Sequence, residues 1–125
     1  MIYLDTHVAV WLYAFAGERL SARALELIDE SPRILISPMV LLELEFLHEI
    51  GRIAVPPRII HEYLADKIAL EICGTDFQEI VRNAIKQTWT RDPFDRMITA
   101  QAALGNDMLI TKDKLIHERY SRAIW

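Results

Sequence analysis

Short apolar runs separated by stretches of helical period constrain this chain more than any other feature. Ile2-Tyr3-Leu4, Arg33 to Ile36 and Met108-Leu109-Ile110-Thr111 lack the alternation of a half-exposed strand. They read as strands covered on both faces. The intervening segments read as helices. Thr6 to Ala16 is apolar nearly all round and stops near Gly17, and Ala22 to Asp29 forms a second helix. Ser37-Pro38 opens a third, with Ser as N-cap and Pro in the first helical position, running to about Gly51. Pro56-Pro57 opens a fourth that ends near Ala65. Thr75 with Gln78, or Asp76 with Glu79, makes a capping box for a helix reaching about Thr88. Asp92-Pro93 opens the last long one, which ends at Gly105. Ala69 to Ile72 and Ala123-Ile124 are weaker strands. This alternation predicts an α/β fold with a central parallel sheet covered by helices. Ligands of such folds sit outside the carboxyl ends of the strands, so polar residues just after a strand matter most.

The 125 residues suit one domain, 1–125, and 52% apolar content suffices for a real core. A net charge of −4 excludes a protein that grips nucleic acid by bulk positive charge. Cys73 is the single cysteine, which excludes an internal disulfide and a cysteine-based zinc site. The longest apolar run, Val8 to Ala16, is too short to cross a bilayer, and the first five residues lack the basic start of a secretion signal. The expectation is a soluble, cytoplasmic protein with no membrane partner.

Four acids stand out by position: Asp5 after the first strand, Glu43 in the third helix, Asp95 in the first turn of the helix opened by Asp92-Pro93, and Asp113 after the strand ending at Thr111. At about 100° per residue, Glu43 falls inside the arc of Val40, Leu44, Phe46, Leu47 and Ile50. Glu45, His48, Glu49 and Arg52 fall opposite, where Glu49 can pair with Arg52. A carboxylate on a core face is costly unless it is paired or binds a cation. Glu43 is therefore either half of a buried ion pair with an arginine or a cation ligand. Asp5 serves equally as a helix cap or a ligand. Asp92 is an ordinary N-cap. Asp95 suits the helix dipole and lies at the edge of the stripe Phe94, Met97, Ile98, Leu104, the rim of a cleft. Asp113 could cap the short helix that follows it.

Acids gathered in one place repel and raise one another's pKa, a penalty that a divalent cation removes. Oxygen ligands without a Cys or His cluster favour Mg²⁺ or Mn²⁺. His7, His48, His61 and His117 lack the i, i+4 pairing of a zinc helix, and GxGxxG, P-loop and GxSxG motifs are absent. Trp11 and Phe15, four residues apart, read as packing. Residues 1–80 carry a net −7 and residues 81–125 a net +3, the excess including Arg91, Arg96, Lys112 and Lys114 beside Asp95 and Asp113. Acids flanked by cations suit a phosphodiester: metal at the centre, basic groups on neighbouring phosphates.

These residues together resemble a PIN-domain ribonuclease, and more narrowly the VapC-type toxins of type II toxin–antitoxin pairs. The likeness runs from Leu4-Asp5-Thr6-His7, with Trp11 a turn on, through Ser37 to Glu43. Its most specific part is Arg91-Asp92-Pro93-Phe94-Asp95-Arg96-Met97-Ile98, followed by Ala100-Gln101-Ala102, and it closes with Leu109-Ile110-Thr111-Lys112-Asp113. The resemblance implies a three-layer α/β/α sandwich and Mg²⁺- or Mn²⁺-dependent cleavage of RNA. It also implies metal-binding, catalytic roles for Asp5, Glu43, Asp95 and Asp113, an antitoxin that covers the site, and a homodimer. Thr6 and Thr111 are candidates to orient water or a carboxylate, and Arg91, Arg96, Lys112 and Lys114 to bind the RNA backbone. Two other readings compete: a receiver-like phosphoacceptor domain, which would need adjacent acids after the first strand, and a non-catalytic binding module of the same fold.

Overall fold

A computed structural model describes residues 1–125. Five strands, β1 (Ile2–Leu4), β2 (Ile34–Ile36), β3 (Glu71–Ile72), β4 (Met108–Ile110) and β5 (Ala123–Ile124), form one sheet in the order β3-β2-β1-β4-β5. Every pairing is parallel. Seven helices flank it: α1 (Thr6–Phe15), α2 (Ala22–Glu30), α3 (Pro38–Glu49), α4 (Pro57–Ile68), α5 (Phe77–Lys86), α6 (Pro93–Leu104) and α7 (Lys114–Arg119). The result is the expected three-layer α/β/α sandwich.

Burial explains the arrangement. All residues of β1 and β2, with Leu109 and Ile110 of β4, are buried, as strands covered on both faces must be. Around them Val8, Ala9, Val40, Leu44, Ile60, Leu64 and Ile98 close the main core from the helices. A smaller cluster, Ile80, Ala84, Met97 and Ala100, locks α5 onto α6. Ser21, Ser37 and Asp92 cap α2, α3 and α6 with their side chains.

Two boundaries differ from the sequence expectation. The fourth helix continues past Ala65 to Ile68, because Asp66 and Lys67 lie on its solvent face, and it ends at Ala69 in the left-handed region (φ 54°). That turn shortens the strand expected from Ala69 to Glu71–Ile72. The apolar arc of α3 also narrows. Val40 and Leu44 are buried, but Phe46 and Ile50 are half exposed. Glu49 does not pair with Arg52; it lies against Glu45, and sharing a proton with that like charge raises its pKa.

The sheet order positions the site. From β1 the chain builds outward through β2 to β3, then returns to lay β4 on the other side of β1. The carboxyl ends of β1 and β4 thus flank a topological switch point, where a crevice opens. No helix is long and apolar enough to cross a membrane.

Candidate active site

Asp5 stands at the head of that crevice. Its backbone N–H donates to the Ile110 carbonyl at 3.0 Å, extending the β1–β4 pairing by one residue. Its carboxylate is held at both oxygens: the Thr6 N–H donates to one at 2.8 Å and the Thr111 hydroxyl to the other at 2.6 Å. Asp5 is therefore both the N-cap of α1 and a buried acid of the crevice. Burial pushes its pKa up, and those two hydrogen bonds act against the rise.

Thr111 is the hinge of the arrangement. While donating to Asp5, its oxygen accepts the Asp113 N–H at 3.1 Å. Its carbonyl lies 2.6 Å from Nε2 of His117, whose ring N–H is the only available donor there. Asp113 in turn caps α7 by accepting from the Ile116 N–H at 2.9 Å. A single side chain thereby ties the ends of β1 and β4 to the loop that presents the fourth acid.

Glu43 and Asp95 approach from α3 and α6. Glu43 is half buried and forms no ion pair; the chain's three salt bridges, Arg23–Glu26, Arg33–Glu71 and Arg58–Glu62, are all at the surface. Burial raises its pKa, the nearby Thr6 hydroxyl opposes this, and the charge of Asp5 adds to it. Asp95 is pushed up to about 7, first by burial and then by repulsion from Asp92, Asp5, Asp113 and Glu43. Each of the other acids named in the sequence thus acts on Asp95 through space. All four border one cleft of about 380 Å³. A larger hollow along α5 and the end of α6, about 530 Å³, contains Glu79 alone among acids and shares no residue with this cleft.

The donor set fits a hard dication. It is built from carboxylate oxygens, and its mutual repulsion is the kind that such a charge relieves. The Thr6 hydroxyl is buried beside it without a hydrogen-bond partner. No three of the side chains converge tightly enough to chelate an ion as they stand, so binding requires them to draw together.

Four further residues border the cleft beside the expected acids and Lys112: Asp92, His7, Val8 and Trp11. Asp92 caps α6 as expected, accepting from the Phe94 and Asp95 N–H groups at 2.8 and 3.1 Å, yet also faces the acids. The signal was available, since Asp92 and Asp95 are three apart at the head of one helix. Trp11 is not simply packing. It is half exposed, edge-on to Trp125 at 5.8 Å and 6.1 Å from the His7 ring.

The basic residues divide. Lys112 borders the cleft, with Nζ 6.0 Å from the Trp11 ring centre and 5.8 Å from that of Trp125. Lys114 is exposed at the start of α7. Arg96 donates from Nε to the Thr90 carbonyl at 2.7 Å, and Arg91 donates to the Thr88 carbonyl at 3.2 Å. Both arginines brace the loop before α6 rather than border the acids.

The sequence matches the PIN domain family over residues 2–122. It is 29% identical over 126 residues to Ribonuclease VapC22 of Mycobacterium tuberculosis (strain ATCC 25618 / H37Rv), covering 98% of this chain and 95% of that protein. Its fold is that of a chain in the crystal structure of VapBC2 from Rickettsia felis bound to a DNA fragment from their promoter. There the TM-score is 0.67 at 20% identity, over 99% of this chain and 96% of the other. A toxin–antitoxin complex from Klebsiella pneumoniae aligns with a TM-score of 0.64 at 22% identity, covering 93% and 90%.

Proposed function

The chain belongs to the PIN domain family, and from that premise we propose that it is a Mg²⁺- or Mn²⁺-dependent endoribonuclease, the toxin of a type II toxin–antitoxin pair. The observation that carries the reading is the shared cleft of Asp5, Glu43, Asp95 and Asp113 at the β1/β4 switch point. The likeness to a ribonuclease along nearly the whole chain supports the activity. The likeness to toxin–antitoxin complexes supports a cognate antitoxin as partner.

In this reading Asp5, Glu43 and Asp95 hold the cation, with Asp113 joining them directly or through water. A dication bound there supplies Lewis-acid charge stabilisation and an activated water for hydrolysis at phosphorus. The chain's own residues do the rest. Thr111 fixes the rotamer of Asp5 through its 2.6 Å hydrogen bond and holds the Asp113 backbone with the same hydroxyl. Thr6 fixes the second Asp5 oxygen through its N–H. Lys112 offers positive charge at the cleft edge, where a phosphate next to the cleaved one would lie. Arg91, Arg96 and Lys114 bind more distant phosphates in the same scheme, and two chains form a homodimer. Asp5 is followed by Thr6 and His7, not by a second acid, which disfavours the receiver-like alternative.

The test is cleavage of RNA by the purified chain with Mn²⁺, reading the new ends by sequencing. Discrete cuts bearing 5′-phosphates, lost with Asp5→Asn and with chelator, are expected. RNA left intact with Mg²⁺ and with Mn²⁺ would refute the activity and favour a non-catalytic binding module.

A further inference from the structure

A second pocket adjoins the acidic cleft and shares His7 and Trp11 with it as a common wall. It encloses about 360 Å³ and is completed by Val10, Phe15, Arg19, Leu47, Arg52 and Ile53, so its walls are mostly apolar and its charges are positive. Its chemistry is the opposite of the cleft's. Neither Arg19 nor Arg52 meets a carboxylate, since the chain's ion pairs use Arg23, Arg33 and Arg58. The Arg19 guanidinium lies 3.8 Å from the centre of the Phe15 ring, an arrangement that orders the fork while leaving its N–H edges free. Both arginines are exposed, and Trp11 is half exposed between the pocket and the cleft.

Two unpaired cations, an imidazole and aromatic faces are what a nucleotide requires: donors for phosphate and a surface for a base. The shared wall makes the pocket continuous with the place where a phosphodiester would be cut. We propose that the pocket between α1 and the loop after α3 is a nucleotide subsite for single-stranded RNA. Arg19 and Arg52 hold a backbone phosphate there, and Trp11 offers its ring to the base nearest the cleaved bond. The proposal rests on the ribonuclease reading and adds a path for the strand to it. The RNA enters past Arg19 and Arg52, crosses Trp11 and passes the acids toward Lys112. Double-stranded RNA, whose bases are already stacked, cannot make the Trp11 contact.

The experiment is fluorescence anisotropy of a short labelled single-stranded RNA with Asp95→Asn protein, in which binding is read without cleavage. Arg19→Gln combined with Arg52→Gln should weaken binding about tenfold. It should also flatten the salt dependence of log K by about 0.7 for each phosphate no longer held. The charge-matched control is Arg23→Gln combined with Arg58→Gln, which removes two paired surface cations away from the pocket. It should leave both quantities close to their starting values. Unchanged affinity in the Arg19/Arg52 variant, or an equal loss in the control, would overturn the subsite; unchanged affinity would point to a protein segment as the pocket's occupant. If binding depends on Arg19 and Arg52 but the unsubstituted chain cuts no RNA with Mn²⁺, the subsite stands and the ribonuclease reading falls.

Discussion

The Thr111 hydroxyl donates a 2.6 Å hydrogen bond to Asp5 across 106 residues of chain, joining the ends of the two strands that flank the switch point. Asp5 is buried, so this bond has no water to replace it. Thr111→Val keeps the shape and removes the donor. It should cost about 1–3 kcal/mol in urea unfolding, the range for leaving a buried acceptor unsatisfied. Cleavage should fall as well, because Asp5 loses its fixed rotamer. Thr111→Ser should restore both. Full stability and activity in the valine variant would show that the bond positions nothing.

Asp95 makes the cation-free protein sensitive to pH. Its folded pKa, about 7, lies above the ordinary aspartate value. Ionising it therefore costs more in the folded chain than in the unfolded one. That cost is absent at low pH, when the carboxyl is protonated in both states, and grows as pH rises from about 4 through 7. The raised pKa values of Asp5 and Glu43 act in the same direction. In chelator at pH 8, Asp95→Asn should raise Tm, by about 4 °C for each kcal/mol of burial and repulsion cost relieved. The gain should vanish near pH 4. With Mn²⁺ present the order should reverse, because the amide is the poorer ligand. A Tm difference that ignores both pH and Mn²⁺ would contradict this account of the cleft's electrostatics.

Gln101 is buried on α6, and neither polar atom of its side chain has a hydrogen-bond partner. Its amide lies near the Cys73 thiol, which already contacts the Tyr3 hydroxyl at 2.9 Å and Thr75 at 3.0 Å. Burial pushes that thiol's pKa up, but the surrounding hydrogen bonds outweigh it and bring it below the ordinary value. Gln101→Met keeps the volume and removes the unsatisfied amide. It should stabilise the fold by about 1 kcal/mol in urea unfolding. Loss of stability would mean that the amide is satisfied in solution.

Much of this was legible in the sequence, for identifiable reasons. The apolar runs at Ile2-Tyr3-Leu4 and Met108-Leu109-Ile110 carry no alternation, and only strands covered on both faces look like that. Ser37-Pro38 and Asp92-Pro93 marked helix starts because capping is local chemistry. Asp5 and Asp113 were found because strand ends in an α/β sheet are where ligands go. Other features depended on distance. Thr111 was expected to orient water or a carboxylate, but that the carboxylate is Asp5 follows from a contact between residues adjacent only in the folded sheet. Phe46 and Ile50 joined the apolar arc of α3 on the helical wheel, but whether an arc is covered depends on neighbours the wheel does not include. Trp11 looked like packing because spacing cannot show that one face of a ring meets solvent. Arg19 and Arg52 are unremarkable in sequence, and their significance lies in the pocket they share and in having no acidic partner.

The central claim is that Asp5, Glu43 and Asp95 draw together around one hard cation. Anomalous diffraction from crystals of the protein grown with Mn²⁺ tests it most directly. A manganese peak within bonding distance of carboxylate oxygens from all three residues is the predicted result. Crystals that carry manganese elsewhere, with these three side chains still apart and nothing between them, would contradict it.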